Sequence, residues 1–374
     1  MRVLLQLYQN GMTEFKKIAV LCNYELLPER VGGMDYFFWQ FDSRCTENGI
    51  QVDWFFPNQS DHGEYATLTI FDSAYQSVEN YFLGFCKSNP TAYTHIITHF
   101  IELCTPFFYK IKQFPKAKII AVDHNPRPIA GYPLKKRIEK RIKGILFSRY
   151  IAVFVGVSDY TAAEIIRDFG SSVKNKTLTI YNGVVFDYIL ERTNRSILHP
   201  TFLTVSHLRE SKGIQDLIAA VALLPSVIKK AIKIDLYGNG PYKSILVEKM
   251  KQHDVVSCFT FMGSSPNLKV LFSNYDYMLQ PTHMECFSLS ILESLAANVP
   301  VITTNVGGNE EVIVSGENGF VYKAKDVLAL KDILEAVYLG HKKIETNTRT
   351  LVEDCFSLTT MVEHHLALVL QNKS

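Results

Sequence analysis

Two carboxylates frame the stretch of the chain best suited to chemistry. From Tyr275 to Gly308 it reads YDYMLQPTHMECFSLSILESLAANVPVITTNVGG, with seven residues between Glu285 and Glu293. The pattern predicts a strand ending at Gln280, a loop holding Glu285, and a helix carrying Glu293 in its opening turns. The first N–H groups of a helix are unpaired and electropositive, so the backbone of Phe287, Ser288 and Leu289 could cradle a phosphate without a cationic side chain. Carboxylates accept paired sugar hydroxyls, so two of them flanking that cradle suit a ligand that joins phosphate to sugar. The plainer reading is a Ser290-x-x-Glu293 capping box beside an exposed loop acid at Glu285.

The elements that must position these residues alternate in type. Short β-branched runs recur between stretches of helical period, the signature of parallel sheets covered by helices, and the class is α/β. In the first half the expected strands are Lys17–Asn23, Ile50–Phe56, His95–His99, Lys118–Asp123, Ile151–Ser158 and Thr177–Tyr181. In the second they are Thr201–Ser206, Lys233–Tyr237, Cys258–Met262, Tyr275–Gln280, Val299–Thr303 and Gly319–Tyr322. The polar segment from Pro57 to Asp72 reads as a long loop. The irregular stretch from Glu191 to Pro200 marks a boundary, giving domains at 1–194 and 195–357, with a closing helix in 358–374 that could dock on the first. Two such domains set the carboxyl ends of their strands opposite one another, and ligands bind at those ends.

Composition narrows the class of partner. The chain has 374 residues, 47% hydrophobic and 20% charged, with 39 Lys plus Arg against 37 Asp plus Glu. That balance argues for large buried cores and against a nucleic-acid-scale basic surface. Seven cysteines without a Cys-x-x-Cys spacing disfavour a disulfide framework or zinc ribbon and fit a reducing cytoplasm. The apolar stretch Val3 to Tyr8 is too short for a secretory signal, and Ile145 to Val157, broken by Arg149, is too short to span a bilayer. His95 and His99 are four apart on a strand, which does not make the helical zinc pair.

The stretch from Glu285 to Glu293 resembles the Glu-x7-Glu signature of the family 4 glycosyltransferases (glycosyl transferases group 1), retaining enzymes of the GT-B fold with two Rossmann-like domains facing across a cleft. Pro300-Val301-Ile302, Val306-Gly307-Gly308, Gly32-Gly33, Val157-Ser158, Tyr181-Asn182-Gly183 and Lys212-Gly213 fall where that family has its landmarks. The resemblance implies transfer of a sugar from a nucleotide-sugar, bound by the second domain, to a glycan or lipid-linked acceptor in the first, in cell-surface polysaccharide or glycolipid synthesis. Glu293 would bind ribose hydroxyls. Glu285, with the Phe287–Leu289 backbone, would hold the donor sugar, Lys212 would neutralise the diphosphate, and His124, after the strand ending at Asp123, would stand by the donor sugar. Gly32, Gly33, Gly238 and Gly263 would complete the donor site.

Two positions depart from the family pattern. His207 stands where an arginine is usual: either Arg209, two residues on, substitutes, or the phosphate contact is weaker or pH-sensitive because histidine titrates near neutrality. Cys286 replaces a common glycine. No Asp-x-Asp occurs, so no metal and no cofactor is expected, the nucleotide-sugar being a substrate. A nucleotide-sugar epimerase of GT-B fold and a nucleotide-sugar-binding protein without catalysis are the alternatives.

One further helix stands out. Leu134–Arg149, LKKRIEKRIKGILFSR, aligns Leu134, Ile138, Ile142 and Ile145 on one stripe while Lys135, Lys136, Arg137, Lys140, Arg141 and Lys143 fill the remainder. Such a helix could press against anionic lipid; a solvated charged face is the bland alternative.

Overall fold

The computed structural model describes residues 16–370 except 91, 115–116, 197 and 266–267. The Val3 to Tyr8 stretch and the last four residues of the predicted closing segment lie outside the described residues. The described chain builds two parallel sheets. The first has seven strands in the order β3-β2-β1-β4-β5-β6-β7 and the second six in the order β10-β9-β8-β11-β12-β13.

The first sheet comprises β1 (Lys16–Cys22), β2 (Ile50–Phe56), β3 (Thr69–Asp72), β4 (His95–His99), β5 (Lys118–Asp123), β6 (Val153–Gly156) and β7 (Thr177–Thr179). Alternation along β1 sends Ile18 and Val20 to one layer and Ala19 and Leu21 to the other, so both faces are covered, as a parallel sheet requires. The strand β3 lies inside the segment expected to be a loop. It is a four-residue edge strand beside β2, held by Phe71 stacked on Phe55 at 5.2 Å between ring centroids.

The second sheet comprises β8 (Phe202–Val205), β9 (Ile234–Tyr237), β10 (Phe259–Gly263), β11 (Tyr277–Gln280), β12 (Val301–Thr304) and β13 (Gly319–Tyr322). In each sheet the strand order reverses direction once, between β1 and β4 and between β8 and β11. Loops leaving such a pair of strands diverge and open a crevice at their carboxyl ends.

The closing helix, Leu358–Leu370, lies against the Gly33–Glu47 helix of the first domain. His365 meets Phe37 with centroids 4.8 Å apart, and Leu366 and Val369 are buried in the same core. The chain therefore crosses to the second sheet and returns. Truncating Leu366 to alanine is expected to lower unfolding free energy by about 2–4 kcal/mol, measured by urea denaturation; a loss within experimental error would mean that the helix contributes little to the first domain.

Candidate active site

The two loops that leave the switch point of the second sheet carry the lysine and the first glutamate. After β8 the chain makes a tight turn at Glu210–Lys212, and after β11 it enters the loop from Pro281 to Phe287. Lys212 Nζ and Glu285 Oε2 meet at 2.8 Å, both largely buried. Gly213 makes that meeting possible. Its φ is +70°, and a Cβ there would stand 1.7 Å from the carbonyl oxygen of Pro281. His283 of the second loop pairs at 2.5 Å with Asp216 in the first turn of the helix Ile214–Ala222 that follows the Lys212 turn.

The helix expected after Glu285 spans Leu289–Ala296, and its cap is Ser288 rather than Ser290. Ser288 Oγ accepts the N–H of Ile291 and a hydrogen bond from Gln280 Nε2 at 2.8 Å. Gln280 Nε2 also lies 3.4 Å from Glu285 Oε2, so one amide ties the glutamate to the helix start. Gly307 and Gly308 support this loop from behind. Gly307 has φ +62°, a Cβ on it would lie 2.2 Å from the Glu285 carbonyl oxygen, and the Gly308 N–H donates to the Cys286 carbonyl.

The first domain closes over the same loop. Ser158 Oγ donates to the Cys286 carbonyl at 3.1 Å, and the Cys286 thiol donates to the His124 carbonyl at 3.1 Å. Burial, with the Glu285 charge adding to it, pushes that thiol up to about 12, so it stays protonated and a donor. A Cβ on Gly33 would come within 2.8 Å of Leu289 Cδ1, so the glycine allows the first domain to approach the helix start. Gly32 does something else. Its N–H is committed to Asp35 Oδ2 at 2.8 Å, capping its own helix, and an added Cβ would meet nothing within 4 Å.

Lys212, Glu285, Cys286, Ser288, Leu289, Gly33 and His124 thus form one connected region. Phe287 is buried against Tyr181 and Phe356 and offers only its backbone. Glu293 lies five residues into the helix, and its charge raises the Tyr36 hydroxyl, after burial and Asp35, which brings it toward the first domain. Arg209 starts the turn that ends in Lys212, and its side chain is exposed, as is His207. Gly238 and Gly263 sit together at the ends of β9 and β10, the N–H of the first donating to the carbonyl of the second at 2.8 Å. Among the described residues no group of three or more His, Cys, Asp or Glu is placed to hold a metal ion.

Two features had no counterpart in the reading of single motifs. Glu311 of the second domain accepts from the N–H groups of Asp159 at 2.9 Å and Tyr160 at 2.7 Å, capping the helix Asp159–Phe169 across the cleft. Ser158-Asp159 and Glu310-Glu311 are a helix start and an acidic pair far apart in the chain, and only the fold joins them. His124 is also one of a cluster of three buried histidines, apart from the buried His95. Its Nε2 lies 3.0 Å from His99 Nδ1, and the His365 ring is 5.9 Å from that of His99. Burial lowers all three, His124 to about 3 and His365 to about 4, so they are neutral near pH 7. A cavity of about 510 Å³, lined by Asn23, Phe100, Asp123, Asn125 and Arg127 among others, opens on the same strand ends. Phe100 stacks on His124 with 4.1 Å between centroids.

Two parallel-sheet domains with facing strand ends and a site shared between them define the GT-B architecture. The structure of Anabaena Alr3699/HepE in complex with UDP-glucose superposes on the chain with a TM-score of 0.71 at 16% identity, covering 94% of this chain and 99% of that one. Residues 193–349 match the family described as glycosyl transferases group 1, so the resemblance drawn from Glu285 and Glu293 holds. The chain is 30% identical over 240 residues to N-acetyl-alpha-D-glucosaminyl L-malate synthase of Bacillus anthracis, covering 55% of this chain and 61% of that protein. It is 26% identical over 296 residues to the capsular polysaccharide biosynthesis glycosyltransferase CapM of Staphylococcus aureus, covering 67% and 74%. The chain therefore spans less than two thirds of the first of these relatives.

The clustered histidines His99, His124 and His365, like the buried His95, make stability depend on pH. Each binds a proton more readily unfolded, near 6.5, than folded, so their contribution is present above pH 6.5 and is lost as pH falls toward 4. Unfolding free energy should fall across that window with a slope of up to about 1.4 kcal/mol per pH unit for each histidine. His365→Gln should flatten the slope by one such increment in urea titrations at stepped pH; an unchanged slope would contradict the assignment.

Proposed function

We propose that the protein is a metal-independent, retaining glycosyltransferase that moves a sugar from a nucleotide-sugar to a glycan or lipid-linked acceptor, in the synthesis of a cell-surface polysaccharide or glycolipid. The observation that carries this reading is the Lys212–Glu285 pair beside the Ser288-capped helix start, at the switch point of the sheet that matches the group 1 family. The relatives' names, an N-acetyl-alpha-D-glucosaminyl L-malate synthase and a capsular polysaccharide biosynthesis glycosyltransferase, support sugar transfer as the reaction.

In this reading the diphosphate lies against the backbone N–H groups at the start of the Leu289–Ala296 helix and draws Lys212 from Glu285. The freed carboxylate then takes hydroxyls of the donor sugar, while Glu293 takes those of the ribose. A departing nucleoside diphosphate gains negative charge in the transition state, and a cation with oriented N–H groups is complementary to that charge. Each charge-assisted hydrogen bond contributes roughly 1.5–3 kcal/mol, so the lysine and two or three amides supply a useful part of the barrier reduction. His124, buried and neutral, presents its carbonyl to Cys286 and flanks the donor sugar, and the acceptor enters through the cavity beside Asn125 and Arg127. Arg209 would add a second cation from the Lys212 turn.

Glu293→Ala should weaken binding of the cognate nucleoside diphosphate by about 10-fold or more in titration calorimetry, and Glu285→Gln should act chiefly on turnover. Lys212→Met should lower kcat/KM by at least about 100-fold, and a chelator should leave the rate unchanged. An epimerase would interconvert free nucleotide-sugars instead. Binding of nucleotide-sugar with neither transfer nor hydrolysis would reduce the protein to a binder.

A further inference from the structure

The cavity of about 510 Å³ at the carboxyl ends of β4 and β5 has charged walls whose charges are nearly all spent on one another. Arg127 pairs with Asp123 at 2.7 Å and Asp168 at 3.0 Å, Lys140 with Asp168 at 3.1 Å, and Lys136 with Glu139 at 3.1 Å. The helix Leu134–Phe147 that carries both lysines turns its apolar stripe outward, and a Cβ on Gly144 would come within 2.2 Å of the Phe169 carbonyl oxygen, which fixes that orientation. Of the other carboxylates at the wall, Glu102 is bridged by Lys143 at 2.8 Å. Glu79 differs. It accepts from the Ser77 hydroxyl at 2.8 Å and has no cation partner among the described residues. A phosphate would have to displace a carboxylate from each cation it met while Glu79 repelled it, whereas an uncharged polyol would find lone pairs and N–H groups already in place.

Two loops adopt costly backbone conformations to complete the wall. Phe100, directly after β4, has φ +58°, and Cys104 at the far end of the same loop has φ +54°. Ala74 and Tyr75, with φ +48° and +61°, open the turn that leads into the helix Val78–Ser88 and Glu79. None of these four is a glycine, asparagine or aspartate, and such residues stay in the left-handed region only where the surrounding structure enforces it. Conformations of this kind concentrate where a chain must present a group to a ligand. Here the two loops present an aromatic ring, Phe100, and the carboxylates of Glu79 and Glu102. Phe100 is half-buried, its ring stacked on His124 at 4.1 Å and 5.6 Å from that of Tyr24. The cavity therefore adjoins the histidine whose carbonyl meets the Cys286 thiol.

We infer that this cavity takes the terminal sugar of an uncharged glycan, with Phe100 against the C–H face of the sugar ring and Glu79 accepting its hydroxyls, and that phosphate-bearing groups are excluded from it. A sugar ring has an apolar face and a rim of hydroxyls; an aromatic side chain covers the first, and an ionised carboxylate accepts from the second. The volume lies within the roughly 300–1,000 Å³ of sites that enclose small ligands. Contact with Phe100 sets the terminal sugar beside His124 and toward the Glu285 loop, where an acceptor hydroxyl must reach a donor. The inference rests on the cleft being a sugar-transfer site and names the class of acceptor, a neutral glycan end in place of a phosphorylated or diphosphate headgroup.

The test applies the labelled full chain to an array of neutral, phosphorylated and uronic-acid-bearing oligosaccharides, in the presence of a nucleoside diphosphate that calorimetry has shown to bind. Neutral glycans should bind, and phosphorylated or acidic ones should bind at least about 10-fold more weakly. Phe100→Ala should lower affinity for the best neutral glycan by about 10-fold or more, Phe100→Trp should keep most of it, and both should bind the nucleotide as the parent does. Glu79→Lys should lower the same affinity and shrink the discrimination against phosphorylated glycans by about 10-fold or more, a change of preference that loss of folding cannot produce. Stronger binding of phosphorylated or acidic glycans, no binding of any glycan while the nucleotide binds, or variants that match the parent would overturn the inference and leave the sugar-transfer reading standing. Failure of every nucleoside diphosphate to bind would overturn that reading and the inference with it.

Discussion

A cation and a carboxylate from two different loops meet at the point where the second sheet reverses its strand order, and the remainder of the site is organised around that meeting. Lys212 comes from the turn after β8 and Glu285 from the loop after β11, 73 positions apart. Their contact requires Gly213 to place its backbone where no side chain fits, and it requires Gly307 to let the Glu285 loop sit back against the next strand connection. An ion pair of this kind holds the two loops in register while remaining exchangeable, because both partners keep some solvent access. A phosphate can take the ammonium and a sugar the carboxylate without either group being left buried and unpaired.

Closure of the cleft follows from the same loop. The Cys286 backbone and thiol contact Ser158 and His124 of the first domain, and Glu311 caps the helix that begins at Asp159. These polar links, with the apolar contacts of Gly33 against Leu289 and of Tyr181 against Phe287, hold the two domains together, and any parting of the domains to admit a donor and an acceptor must break them. The returning helix Leu358–Leu370 anchors the carboxyl end of the chain in the first domain. Any such motion is therefore constrained by two strands of chain, the connection near Arg192 and the return before Leu358.

Much of this is legible in the amino-acid sequence. All twelve expected strands lie within two residues of those found at each end, because buried parallel strands read as β-branched runs. The edge strand Thr69–Asp72 was hidden by its polar approach and its four-residue length. Ser288 and Ser290 are chemically equal as caps, and the choice between them is made by Gln280, which holds Ser288. Gly32 and Gly33 looked alike in sequence, yet only Gly33 meets the opposite domain. The stripe Leu134, Ile138, Ile142 and Ile145 was visible as periodicity, but its direction depended on Asp168, Glu102 and the Phe169 carbonyl, all remote in the chain. The contacts of Cys286 and Glu311 across the cleft had no local signal at all.

The account turns on where a diphosphate would bind, and a crystal structure of the protein soaked with a nucleoside diphosphate measures that directly. The prediction is phosphate oxygens within hydrogen-bond distance of the backbone N–H groups at the start of the Leu289–Ala296 helix and of Lys212 Nζ, with Lys212 drawn away from Glu285. A nucleotide bound elsewhere, or bound in the cleft with the Lys212–Glu285 pair intact and the helix start untouched, would contradict it.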